Sequence, residues 1–505
     1  MLIVSYVLYL IITLLTVLGF WLKKHFSYFE SRRIPCEKPN IFLGNLGGVQ
    51  TTRSFQEIWM NYYKKFKDTG PFAGFYWFQR PGVFLLDMEL IKNVLIKDFN
   101  NFTNRGFYTN KKDDPLTGIL FLLEGHSWKF MRTKISPTFT SGKMKFMFPT
   151  VISVGQEFVK VFGEMLQQQA VIEVKELLAR FTIDVIGNCG FGIDCCSLRD
   201  PKAEFLIMGR KSLVEFRYGR IGSAFNSAFP NLARKFHMKI TPAYIEEFFM
   251  RTVRETVEYR EKHNIRRNDF MDLLLDLKNN KLVKSENDDE LRNLTFDELV
   301  AQIFLFFVAG FETSSTTMGF ALYELAKHEE IQERVRKEIS DVLDNYKQEL
   351  TYEAIKDMTF LNQVILETLR LYTVIPVLNR QCLNDYVVPG HPNYVIKKDM
   401  LVYIPAGAIH RDPKYYPNPD VFNPDNFTPE KVKERESVHY LAFGDGPRNC
   451  VGMRFGQMQT RIGLALLLKN FRFSVCSETQ IPLKYSKKHF LLATESGIYL
   501  KAERV

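Results

Sequence analysis

The ten residues Phe443-Gly444-Asp445-Gly446-Pro447-Arg448-Asn449-Cys450-Val451-Gly452 say more about this chain than any other stretch, and a helical run from Met453 to Leu468 follows them. Two glycines and a proline fix a tight loop. Cys450 therefore lies just before a helix N-terminus, where backbone N–H groups and the helix dipole favour an anion. Arg448 adds positive charge, so the sulfur is expected to be held readily as thiolate, the form that ligates metal. A cysteine in a glycine-rich loop is otherwise a small buried hydrophobe or a redox-sensitive thiol. The flanking pattern favours the ligand.

Upstream, Thr295-Phe296-Asp297-Glu298 is a capping-box pattern that opens a proline-free helical run from Phe296 to about Lys327, long enough to cross a whole domain. Near its middle stands Ala309-Gly310-Phe311-Glu312-Thr313. Gly310 costs about 1 kcal/mol relative to Ala in a helix interior, and a buried Glu costs more unless it is paired. Such local violations are where function is sought. The packing alternative is a notch for a crossing helix, with a Thr bonding the carbonyl one turn back. Further on, Glu367 and Arg370 share one face of a largely apolar helix around Leu361–Leu371, which makes them either a solvated pair or a buried structural one.

At 505 residues and 46% hydrophobic content, with 44 Phe, 22 Tyr and 4 Trp, the chain is a large globular body and not a disordered one. A short sheet region is expected between Asn40 and Asn100, where runs such as Gly82-Val83-Phe84-Leu85-Leu86 occur, and the rest reads as mostly helical. The net charge of +10 comes without any nucleic-acid motif. Seven cysteines, an odd number with no C-x-x-C pair, indicate neither a disulfide framework nor a zinc site, and point to a reducing compartment.

Leu2 to Leu22 carries no charge and is long enough to span ~30 Å of hydrocarbon as a helix. No basic segment precedes it and no small-residue cleavage site follows. Lys23, Lys24, His25, Arg32 and Arg33 do follow, so the flank and everything after it belong in the cytosol. The sequons at Asn101, Asn293 and Asn426 are then unused. Pro35 and Pro39 stiffen the next segment, which is an ordinary linker or a lever that sets how the body leans on the membrane.

The loop resembles the cysteine-ligand loop of the haem-thiolate monooxygenases, the cytochrome P-450 family, at every fixed position of F-G-x-G-x-R-x-C-x-G. Ala309 to Thr313 is similar to the family's oxygen-activation motif, Glu367 and Arg370 to its E-x-x-R pair, and Trp128 with Arg132 to its W-x-x-x-R element. Phe270-Met271-Asp272-Leu273-Leu274, after Val257-Glu258-Tyr259-Arg260, looks most like the insect microsomal branch that handles plant toxins and insecticides. The resemblance implies a mainly α fold with a smaller β region, and a haem between the long central helix and the cysteine loop. It also implies an anchor at 1–22, a basic proline-containing linker at 23–39 and a catalytic domain at 40–505.

By the same resemblance, Cys450 ligates the iron of haem b, beside Phe443, and Arg132, Arg380, Arg448 and Trp128 hold its propionates. Ala309 and Gly310 leave room for O2, Thr313 orients the protons that reduced dioxygen needs, and Glu312 supplies them. The pocket-lining segments carry over to Phe107, Leu116, Phe121, Phe304, Val308, Val374, Ile375, Leu378 and Phe490. No G-x-G-x-x-G fingerprint follows a strand, so electrons come from a separate donor. The resemblance makes that donor an NADPH-dependent flavoprotein reductase at the endoplasmic reticulum membrane, with cytochrome b5 as a second one. Lys129, Lys134, Lys143 and Arg454 are candidates for the basic docking face. A membrane-anchored haem protein that carries electrons or senses without oxygenating is the alternative, and it has no need of Glu312 and Thr313.

Two positions depart from the family. Asn426 stands where an arginine often completes the Glu367–Arg370 network, which must close differently here, through Asn426 or His410. Leu371-Tyr372-Thr373-Val374 lacks the usual proline after the tyrosine, which leaves the shape of the segment over the substrate open.

Overall fold

The computed structural model describes residues 2–267, 269–279 and 293–505. Helix α1 (Leu2–Phe26) stands clear of the body, with Ile3 79% and Phe20 71% exposed. Its 25 residues make about 37 Å of helix, enough to cross the hydrocarbon core. It does not end at Leu22. Lys23, Lys24 and His25 form its last turn, where cations complement the helix dipole.

The segment that follows is docked rather than free. Tyr76 Oη donates to the His25 carbonyl at 2.9 Å, the His25 ring meets the Gln79 carbonyl at 2.7 Å, and the Gly74 N–H donates to the Pro35 carbonyl at 2.7 Å. Buried Phe29 fills the space that a Cβ on Gly74 would need.

Helix α2 (Phe55–Phe66) covers a four-stranded sheet of β1 (Phe72–Trp77), β2 (Arg80–Leu85), β3 (Leu378–Gln381) and β4 (Leu401–Ile404), in the order β1-β2-β4-β3. Only the β2–β4 pair is parallel, with Val83 opposite Val402. Trp59, Phe75, Phe84 and Tyr403 form its buried aromatic core. The expected strand at Gly82 is β2, but β3 and β4 join it from some 300 residues away in sequence, and short-range patterning does not report such pairing. A second sheet joins Val171–Glu173, Tyr499–Arg504 and Phe471–Ser474, and ties the C-terminus to the helical part.

That helical part holds the larger core. Helices α4 (Val174–Ile186), α6 (Thr359–Leu371) and α7 (Met453–Asn470) pack around α5 (Phe296–Lys327), and α3 (Gly125–Ile135) contributes to the same core. The reciprocal bonds of the α5 capping box are present, Glu298 N–H to Thr295 Oγ1 at 3.2 Å and Thr295 N–H to Glu298 Oε2 at 3.1 Å. Its 32 residues span about 48 Å. The helix is apolar on most sides because it is enclosed, as a central core helix must be.

Candidate functional site

The loop before α7 is built by its own backbone. Cys450 N–H donates to the Phe443 carbonyl at 2.8 Å, Asn449 N–H to the Gly446 carbonyl at 3.0 Å, and Gly444 N–H to the Leu441 carbonyl at 2.9 Å. Gly446 has φ +69°, and a side chain there would overlap the Leu95 carbonyl, so glycine is required on both counts. The ease of ionisation expected of Cys450 is corrected. Cys450 is exposed to a cavity, yet the protein packed around that cavity desolvates its sulfur, which raises the thiol above its ordinary value and outweighs the Gly452 N–H and the Arg132 and Arg105 guanidiniums that lower it. A coordinated metal ion is what deprotonates such a thiol outright.

The cavity lies between this loop and α5, opens to solvent, and leaves about 270 Å³ that the centre of a water-sized sphere can occupy. Four arginines line one side. Arg448 donates to the Thr103 carbonyl at 2.8 Å and the Leu123 carbonyl at 2.7 Å, and its guanidinium carbon sits 4.3 Å from the Trp128 ring centroid. Arg132 donates to the Asn449 carbonyl at 2.9 Å and to Asn449 Oδ1 at 2.6 Å. Arg380 bonds the Asn379 carbonyl at 2.8 Å and leaves its Nε unpartnered, as does Arg105, whose Nη2 reaches the Arg448 carbonyl at 3.3 Å.

None of the four forms an ion pair with a carboxylate among the described residues. Burial lowers them all, Arg105 to about 10 and Arg448 to about 8, and repulsion from Arg105 adds to the shift at both Arg380 and Arg448. Such a cluster is a receptor for anionic groups. Arg105 was not foreseen, because nothing in Asn104-Arg105-Gly106 marks it and only the fold brings it beside Arg448.

Across the cavity, α5 presents Ala309, Gly310 and Thr313. Thr313 Oγ1 donates to the Ala309 carbonyl at 2.7 Å. A Cβ on Gly310 would come 2.5 Å from Ile186 Cδ1, so its missing side chain is the notch that admits α4. Glu312 is turned away from the cavity, as its neighbour on a helix with 100° per residue must be. Its carboxylate pairs with Lys175 Nζ at 3.1 Å and accepts from Thr316 Oγ1 at 3.2 Å.

A sequence model described as "Cytochrome P450" matches residues 34–502. This chain belongs to the cytochrome P450 family. It is 62% identical over 501 residues to "Cytochrome P450 6a9" of Drosophila melanogaster, covering 99% of both chains. It is 49% identical over 504 residues to "Cytochrome P450 6A1" of Musca domestica, covering 99% of this chain and 98% of that one. The resemblance to an insect branch holds, and the chain is a cytochrome P450 monooxygenase, a haem-iron enzyme that uses O2 and takes electrons through a reductase as its family does.

In this cytochrome P450 the Glu367–Arg370 pair is fully buried, joined by two bonds of 2.7 Å. Arg370 also donates to the carbonyls of His410, Pro419 and Val421 at 2.9, 2.7 and 3.1 Å. Asn426 Nδ2 lies 3.3 and 3.4 Å from the two Glu367 oxygens, and Asn423 N–H donates to Glu367 Oε1 at 2.8 Å. An amide thus closes the network, with a bond weaker than a guanidinium would make.

Thr373 replaces the missing proline with hydrogen bonds. Its hydroxyl lies 3.1 Å from the Leu369 and Arg370 carbonyls and 2.7 Å from His410 Nδ1, while His410 Nε2 accepts from Leu441 N–H at 2.8 Å. Those partners require a neutral ring, and burial followed by the Arg370 charge lowers His410 to about 3.

Of the expected lining residues, Phe107, Phe121, Val374, Ile375, Leu378 and Phe490 face the cavity. Leu116, Phe304 and Val308 do not. Leu116 is core, and Phe304 and Val308 occupy a different stripe of α5, with the Phe304 ring 4.8 Å from that of Phe249. The cavity-facing stripe runs through Gln302, Leu305, Phe306, Ala309 and Thr313 at steps of three and four. The only polar side chain high on it, Gln302, is bonded to Leu120 N–H at 3.0 Å and to the Gly118 carbonyl at 2.9 Å. Lys129 and Lys134 lie on α3, which meets the cysteine loop through Arg132 and Asn449, Lys143 lies in the first turn of the helix Ser141–Leu166, and Arg454, in the first turn of α7, reaches the Phe139 carbonyl at 3.5 Å.

Proposed function

We propose that this enzyme is a membrane-bound haem-thiolate monooxygenase that inserts one oxygen atom from O2 into uncharged lipophilic molecules, xenobiotics such as plant toxins or insecticides, or endogenous lipids and hormones. The observation that carries it is the pairing, in one cavity, of Cys450 with four arginines, Arg380 and Arg448 buried and Arg105 and Arg132 partly so, that have no carboxylate partner among the described residues. A flat haem b with two propionates fits that donor set: Arg105, Arg132, Arg380, Arg448 and Trp128 would hold the propionates, and Cys450, beside Phe443, would ligate the iron. When bound, that group supplies a thiolate-ligated iron on which O2 is activated.

The chain's own residues do the rest. Phe107, Phe121, Val374, Ile375, Leu378 and Phe490 exclude water and bind substrate by burial, which favours breadth over identity. The Thr313 hydroxyl holds a proton donor beside the site that the small Ala309 leaves open, whereas the space expected at Gly310 is taken by Ile186 of α4. Glu312 reaches the cavity only when it leaves Lys175. Electrons come from NADPH through a separate flavoprotein reductase, or from cytochrome b5, docked at Lys129, Lys134, Lys143 and Arg454, contacts that act chiefly by steering. Helix α1 and the basic residues after it favour the endoplasmic reticulum membrane, with residues 40–505 in the cytosol as the catalytic domain.

The test is turnover of a lipophilic substrate with NADPH and reductase under 18O2. One labelled oxygen in the product is expected. NADPH consumption with no oxygenated product across a broad lipophilic panel would favour the electron carrier.

A further inference from the structure

Five consecutive carbonyls of α5, from Ala309 to Thr313, each accept a side-chain hydrogen bond in addition to their place in the helix ladder. Three of the donors belong to the helix itself. Thr313 donates to the Ala309 carbonyl at 2.7 Å, Ser315 to the Phe311 and Glu312 carbonyls at 2.8 and 3.2 Å, and Thr317 to the Thr313 carbonyl at 2.7 Å. Hydroxyls that bond one turn back soften and bend a helix. The other two donors come from outside: Gln459 Nε2 on α7 reaches the Gly310 carbonyl at 3.2 Å, and Thr182 Oγ1 on α4 reaches the Phe311 carbonyl at 3.0 Å, sharing its one proton with the Ala179 carbonyl of its own helix at 3.1 Å.

Both outside residues are fully buried, and Gln459 Oε1 has no hydrogen-bond partner among the described residues. Burying an amide of which only one half is bonded is costly where an apolar side chain would fill the same space. The surviving bond is therefore the reason for the residue. It joins the helix that begins beside Cys450 directly to the turn that carries Thr313, while Thr182 joins that turn to α4 from the other side.

We propose that Gln459 and Thr182 are positioning residues. They pin a hydroxyl-softened turn of α5 between α7 and α4, and so fix the distance from Thr313 to Cys450 and with it the share of electrons that ends in product rather than in hydrogen peroxide. This rests on the role proposed above for Thr313.

The experiment compares the full-length wild type with Gln459→Met, Thr182→Val, Thr182→Ser and Thr313→Ala. Hydrogen–deuterium exchange is followed on a peptide that contains the amides of Ser314 and Ser315, whose helix acceptors are the Gly310 and Phe311 carbonyls. Exchange there is expected to accelerate by roughly fivefold to tenfold in Gln459→Met and Thr182→Val, the effect of losing one buried hydrogen bond, and to stay at the wild-type rate in Thr182→Ser. Hydrogen peroxide released per NADPH is expected to rise in the same two variants, with the carbon-monoxide spectrum and substrate KM unchanged. Unaltered exchange, or acceleration spread over the whole protein, overturns the pinning. If Thr313→Ala raises peroxide while the other two variants do not, the positioning role falls and that of Thr313 stands. If Thr313→Ala leaves coupling unchanged, the role of Thr313 falls and takes the coupling claim with it, while exchange still decides the pinning.

Discussion

Glu367→Gln isolates the charge in the buried network. Glutamine keeps the size of the side chain and an acceptor for Asn423 N–H, but it removes the carboxylate that faces Arg370, a residue with no exposed side-chain surface. The guanidinium is then left among the carbonyls of His410, Pro419 and Val421, which solvate it only in part. Removing one partner of a buried pair costs about 3–5 kcal/mol, and three carbonyl bonds place this case near about 3 kcal/mol. A protein of this size and membrane attachment unfolds irreversibly, so the observable is a rate. If the network breaks before the unfolding barrier, about 3 kcal/mol shortens the half-life roughly a hundredfold. The assay is loss of the thiolate-type carbon-monoxide spectrum at fixed temperature in membranes. Glu367→Gln with Arg370→Met removes both charges and should recover most of the lifetime. A single variant that decays within about threefold of wild type would refute the reasoning that the network breaks before the barrier and leaves an uncompensated buried cation behind.

Acid should destabilise the protein through His410, whose folded value of about 3 lies below the ordinary 6.5. The unfolded chain binds the extra proton between those values, so stability present above 6.5 is lost as pH falls towards 3, by at most about 5 kcal/mol; a pH series of unfolding rates in wild type and His410→Asn checks it, the variant losing that slope. Arg380→Met and Arg448→Met should each weaken haem retention by roughly tenfold or more, measured as haem transfer to a scavenger protein, since in the proposed role each would lose a charge-assisted bond to a propionate. Deleting residues 2–22 should leave the chain partly membrane-associated in flotation assays, because Phe42, Ile221 and Phe236 remain 79, 87 and 64% exposed on the body.

What could be read from the residues was what depends on near neighbours in the chain. Thr295 and Glu298 announce their capping box because the two residues cap each other within one turn, and the glycines of the Cys450 loop announce a turn that backbone sterics demand. Glu367 and Arg370 could be placed on one face, but their burial depends on His410, Pro419, Val421 and Asn426, which only the fold assembles. The pairing of Glu312 was illegible for a similar reason, since Lys175 lies 137 residues earlier. Phe304 and Val308 were assigned to the pocket where Leu305 and Phe306 belong, because an apolar-all-round helix carries no periodic signal to set its rotation. Arg105 was illegible, since its meaning comes from three other arginines drawn from distant segments.

The central claim is that Cys450 holds the haem iron as thiolate against the arginine-lined wall. Its most direct test is the reduced carbon-monoxide difference spectrum of the detergent-solubilised protein, wild type beside Cys450→His. A strongly red-shifted Soret band in the wild type, absent in the variant, is the predicted result. A band at the ordinary position in the wild type, or a red-shifted band that survives the substitution, would contradict it.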